Sequence, residues 1–157
     1  MLIATHSLVG AFVGKEIGYP PVAFLLGIIS HIILDSIPHA DGPDDSPDRK
    51  ESDPHTVGQY LLVAVDIALA IAIFMYFSQD DLLNSSMLWG AAGGIFPDFI
   101  DNVPFWSPSL RKWSPIKKFH EFHVKIQSIK LPVVFGLALQ YFISVVFFLL
   151  IVLLYYN

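Results

Sequence analysis

The sequence predicts an all-α protein: an integral membrane bundle of about five transmembrane helices with a short amphipathic interfacial segment, folded as one domain over residues 1–157. Three observations carry this. Hydrophobic residues make up 54% of the chain and charged residues only 15%, whereas soluble domains carry about a quarter charged residues. Mean hydropathy is positive. The apolar residues gather into five runs, while the acids bunch between Asp41 and Asp53. The absence of cysteine excludes disulfides, a thiolate zinc site and a cysteine nucleophile. With no dense basic patch interleaved with aromatics, nucleic acid is not an expected partner.

Leu2 to Gly14 is the first apolar run, with Thr5-His6-Ser7 in its first turns. The first basic residue, Lys15, comes after the run, the reverse of a cleavable signal peptide, so a retained helix is expected, tilted or only partly inserted. Lys15 to Tyr19 is a turn, and Pro20-Pro21 opens a second helix reaching about Ile37. Residues 41–57 are a polar, Pro-rich loop without the Asp-x-Asp-x-Asp-Gly order of a calcium site. Leu61 to Phe77 is the cleanest span, with Asp66 as its single charge. After a turn at Gln79 to Asp81, a fourth helix is expected from about Leu82 to Phe99. Gly90 and Gly94 in it have the four-residue spacing that lets membrane helices approach closely, and the Pro97-Asp98-Phe99-Ile100-Asp101 stretch ends it. Residues 102–130 form the interfacial segment, where Trp106 and Trp113 mix with Arg111, Lys112, Lys117 and Lys118 as in a headgroup layer. Leu131 to Tyr156 is long enough to cross with tilt.

The polar residues inside this apolar frame point to chemistry. His31 and Asp35 stand four apart, on one face of the second helix, with His39 and Asp41 just beyond Pro38. Imidazole and carboxylate together suit zinc or a similar divalent ion, and such groups are costly in a membrane unless paired or functional. A buried His31–Asp35 ion pair is the alternative. His6, Asp98, His120 and His123 are further candidate ligands; His120 and His123 are three apart in Phe119-His120-Glu121-Phe122-His123, one residue short of the zinc-protease pattern. If every run crosses once, His6, His31, Asp35, Asp98, His120 and His123 all fall on one side of the membrane. That side also holds eight of the nine Lys and Arg residues, leaving Lys15 opposite. By the positive-inside rule the site faces the cytoplasm and the C-terminus lies outside.

Two resemblances follow from these residues. His31-x-x-x-Asp35 with Pro38-His39 resembles, at a shorter spacing, the His-x-x-x-Asp…Pro…His segment of zinc-dependent phospholipase C and S1/P1-type nucleases. Thr5-His6-Ser7, Ser30-His31 with Leu34-Asp35, and Pro97-Asp98-x-x-Asp101 together are similar to the bacterial membrane-bound metal-dependent hydrolases, a family of multi-helix inner-membrane proteins. The acidic pair here is Asp-x-x-Asp where that family has Asp-x-Asp. The resemblance implies a helical bundle with a His/Asp metal site, phosphoester-hydrolase ancestry and a place in the bacterial inner membrane. Its motifs put His6, His31, Asp35 and Asp98 among the ligands, with His39, Asp101, His120 and His123 following.

The expected function is hydrolysis of a phosphoester, lipid-like because the site would sit at headgroup depth, by water activated on one to three divalent ions, zinc foremost. Asp66 or Asp101 would orient a ligand histidine or act as general base. Arg111, Lys112 and Lys117 would attract a phosphate headgroup. Two other classes remain open: a small metal or proton transporter built on Asp66, and a structural membrane protein whose metal only pins helix ends together.

Overall fold

The computed structural model describes residues 1–44, 55–78 and 83–155. Each apolar run is a helix. In chain order the elements are α1 (Ile3–Ile17), α2 (Pro20–Asp35), α3 (Val57–Ser78), α4 (Ser85–Asp101), α5 (Ser107–Leu110), α6 (Ser114–Ile126) and α7 (Val133–Tyr155). Local chemistry sets the boundaries. Gly18, at φ 67°, closes α1 in the left-handed conformation, donating its N–H to the Gly14 carbonyl. Pro20 and Pro21 then occupy the first turn of α2, where their missing N–H groups cost nothing. Asn84 caps α4 by accepting from the Met87 N–H at 2.9 Å.

Residues 45–54 of the expected loop at 41–57 lie outside the described residues, as does the turn at Gln79 to Asp81. The base of the loop is drawn together by Asp44, which accepts from the Thr56 hydroxyl at 2.6 Å and the Thr56 N–H at 3.1 Å.

The expectation of about five membrane-length helices is corrected to two among the described residues. α3 and α7, with 22 and 23 residues, are the described helices long and apolar enough to cross a membrane. α1, α2 and α4 have 15, 16 and 17 residues. At 1.5 Å per residue these reach only about 22–26 Å, short of a hydrocarbon layer about 30 Å thick. The apolar side chains of α3 and α7, including Leu61, Val65, Ile71, Phe135, Phe142 and Leu153, point outward from the protein. A soluble core helix would bury them, so this surface matches an apolar surrounding.

The short helices pack through their backbones. A Cβ added at Gly10 or Gly27 would strike the Gly90 carbonyl, and one at Gly94 would strike the carbonyl of His6. The Gly90/Gly94 spacing therefore does what the sequence reading assigned to it, in a three-helix contact of α1, α2 and α4. α4 passes through Pro97 and ends at Asp101, within the stretch expected to end it. Proline removes one N–H from the ladder but is tolerated where neighbouring helices hold the segment in place. At the far end of α1, Leu8 and Ala11 pack with Phe77 of α3, Met87 and Ala91 of α4 and Ile151 of α7.

Asp66 joins α3 to α1. Its two oxygens accept from the backbone N–H groups of Ile3 at 2.6 Å and Ala4 at 3.2 Å, so the carboxylate caps the start of α1. The Asp66→Ala variant is expected to lose about 1–2 kcal/mol of stability. The loss should show as faster amide exchange in the first turn of α1, and unchanged exchange there would refute the capping role.

Candidate metal centre

Four elements bring the centre together: the start of α1, the last turn of α2, the last turns of α4 and the buried face of α6. His31 lies one turn before Asp35 on α2, so both reach the same point. His31, Asp35, Asp98 and His123 form a group that could hold a metal ion, with one ligand atom from each lying within 4.8 Å of the others. The His31 and His123 Nε2 atoms stand 3.0 and 2.8 Å from Asp35 Oδ2, and 3.8 and 3.7 Å from Asp98 Oδ1. The His31, Asp35 and His123 side chains are buried, while that of Asp98 is 13% exposed and forms the open edge of the cluster.

The far nitrogens of the rings are held from behind. His31 Nδ1 donates to the Gly94 carbonyl at 2.6 Å, His39 Nδ1 to the Ile37 carbonyl at 2.7 Å, and His123 Nδ1 to Asp101 Oδ2 at 3.0 Å. A carbonyl can only accept, so the proton of a neutral His31 or His39 sits on Nδ1 and leaves Nε2 a lone pair. Metal-ligating histidines are oriented by bonds of this kind. His31 and His123 Nε2 are also only 3.2 Å apart, beside the same carboxylate oxygen. One proton can bridge two such nitrogens; a divalent cation satisfies both of them and the carboxylates together.

The electrostatics favour a cation. Burial works against a charged His123, but its bonds to Asp101 and Asp35, with the nearby Asp98 charge, outweigh it and push the pKa up to about 9. Burial likewise opposes ionisation of Asp101. Bonds from His123 and His120, with the charges of His120 and Arg111, win and bring its pKa down to about 2.

The other expected site residues fall around this cluster. His6 Nε2 lies 3.1 Å from Asp35 Oδ1 and 3.9 Å from Asp98 Oδ2. His39 Nε2 lies 3.9 Å from Asp35 Oδ1 and 3.1 Å from Asp41 Oδ1. His120 turns to Asp101 instead, with Nδ1 2.9 Å from Oδ1. Asp101 stands behind His123, its Oδ1 also bound by Arg111 Nε at 3.1 Å, so it is placed to orient His123. Asp66 is engaged by the Ile3 and Ala4 amides at the start of α1 and does not belong to the four-residue group that could hold an ion. Arg111, expected at a phosphate, is committed to Asp101.

Two contributors escaped the sequence reading. Gln127 donates to Asp35 Oδ2 at 2.6 Å; its position four residues after His123 was the available signal. Gln140, the lone amide inside the last apolar run, accepts from the Leu2 N–H and donates to the Ala40 carbonyl, each at 2.6 Å. It thereby ties the segments carrying His6 and His39 to α7, and a polar side chain isolated in such a run was its signal.

No protein-family model, curated protein or solved structure matches the chain. Fold and site define an all-helical protein with two helices able to cross a membrane and a buried His/Asp cluster able to hold a metal ion.

Proposed function

We propose that the protein is a membrane-bound, divalent-metal-dependent hydrolase acting on a phosphoester at the membrane surface, in line with its resemblance to the bacterial membrane-bound metal-dependent hydrolases. The observation that carries the reading is the convergence of the His31 and His123 Nε2 atoms with carboxylate oxygens of Asp35 and Asp98. Nitrogen and oxygen ligands of this kind suit zinc. A divalent ion held there supplies a Lewis acid and a water activated near neutral pH.

The chain's own groups do the rest. Asp101 keeps His123 oriented, and Gln127 steadies Asp35. Asp98, the exposed edge, is where a substrate oxygen reaches the centre. A headgroup phosphoester suits a site carried beside two membrane-length helices. The transport reading loses its anchor, because the oxygens of Asp66 are taken up by α1 amides. A structural metal is favoured by one observation, the near-complete burial of the cluster, and it predicts a loaded centre without turnover.

The test is elemental mass spectrometry of detergent-purified protein beside hydrolysis of phospholipids and an aryl phosphodiester. Wild type is expected to hold stoichiometric metal and to turn over, and His31→Ala to lose both. Full metal content in His31→Ala would sink the site. A metal-loaded wild type inert on every phosphoester would leave the structural reading.

A further inference from the structure

Two carboxylates in the centre each face two ways. Asp35 Oδ2 looks at His31 and His123, whereas Oδ1 looks at His6, at 3.1 Å, and His39, at 3.9 Å. Asp98 repeats the division, with Oδ1 towards His31 and His123 and Oδ2 towards His6 at 3.9 Å. The histidines thus form two pairs on opposite oxygens of shared carboxylates.

The second pair is unsatisfied. His6 and His39 are fully buried, and neither ring nitrogen of His6, nor Nε2 of His39, has a hydrogen-bond partner. His6 Nε2 has the distance of an ion pair to Asp35 but not the alignment of a hydrogen bond. Burying such atoms without a partner is unfavourable, and a ligated cation removes that penalty. The spacing fits as well. The His6 and His31 rings stack with centroids 3.8 Å apart and planes 22° apart, so their Nε2 atoms face the two oxygens of Asp35 side by side. Metal pairs in two-ion hydrolytic sites are about 3.5–4 Å apart.

We propose that Asp35 and Asp98 bridge two divalent ions, the first held by His31 and His123 and the second by His6 and His39. Asp41 borders the second position, its Oδ1 3.1 Å from His39 Nε2, and the Met1 nitrogen adjoins it, 3.2 Å from Asp35 Oδ1 and 2.8 Å from Asp41 Oδ1. The inference rests on the metal reading above and deepens it: two ions would hold the attacking and leaving oxygens of an in-line phosphoester displacement, each on its own cation.

The test titrates chelator-treated protein with Zn²⁺ by calorimetry and, separately, with Mn²⁺ under electron paramagnetic resonance. Wild type is expected to take two equivalents and to give the spin-coupled spectrum of a Mn²⁺ pair. His39→Ala is expected to take one equivalent and to give the spectrum of isolated Mn²⁺. The wild-type spectrum decides the matter even if His39→Ala misfolds, and His6→Gln provides a second variant. A single equivalent in wild type, lost in His31→Ala and kept in His39→Ala, overturns the second ion and leaves the first reading standing. No bound metal in wild type overturns both.

Discussion

Replacing Asp35 with Asn is expected to empty the metal centre. Asp35 is the side chain on which the site converges: His6, His31, His39 and His123 place Nε2 3.1, 3.0, 3.9 and 2.8 Å from its oxygens, and Gln127 donates to one of them. An amide of the same shape removes the charge that offsets a cation and turns one acceptor oxygen into an N–H₂ donor. Loss of an outer partner of a metal ligand typically costs 10–100-fold in affinity. Loss of a ligand shared by all four histidines should cost more, at least about 100-fold, and elemental mass spectrometry should find the variant at background. Without metal the variant also loses one of the two carboxylates bonded to His123, while Asp101 keeps its hold on Nδ1. Retention of stoichiometric metal by Asp35→Asn would show that the cluster is an ion-pair network and not a metal site.

The second large effect is expected far from any ligand. A Cβ on Gly90 would meet the Gly10 carbonyl and the Gly14 Cα, and the Cβ positions of Gly10 and Gly27 are already closed by the Gly90 carbonyl. These are backbone atoms, which no rotamer change can move aside. Gly90→Leu should therefore force α1 and α4 apart and cost at least about 3 kcal/mol, read as a lowered thermal midpoint and a loss of monodisperse protein in detergent. Metal affinity should fall with it, because His6 is on α1 while the Gly94 carbonyl that holds His31 is on α4. Gly58→Ala is the control: its Cβ would meet its nearest neighbour at 3.5 Å, an ordinary contact. A Gly90→Leu protein as stable as that control would show that the close approach is not needed.

Much of the local architecture was legible. Apolar runs, Pro20-Pro21 and Gly18 mark the helices to within a few residues, because period and backbone preference are local properties. His31 and Asp35 were legible as partners, because four residues make about one helical turn. The grouping of His6, Asp98 and His123 with them was legible only coarsely, from the end of each helix on which it lies. The number of spans was misread, because hydropathy records that a helix avoids water but not whether its neighbours or lipid supply the apolar surface. Glycine-lined contacts supply it for most of α1, whereas α2 and α4 keep Leu25, Ile29, Leu88 and Phe99 outward and fall short in length, with 16 and 17 residues.

The sequence by itself determined an all-helical, apolar chain and the stock of histidines and carboxylates at its helix ends. Tertiary structure alone decided their duties: His123 turned to Asp35 and His120 to Asp101 from the same helix, Asp66 engaged by the α1 amides, Arg111 by Asp101, and Asp35 shared between two pairs of rings. The reason is geometric. A ligand set needs side chains from four helices to agree within about an ångström or less, and that agreement depends on how closely the helices approach and how each is rotated about its axis. Contacts between residues distant in the chain set both, and no local pattern records them.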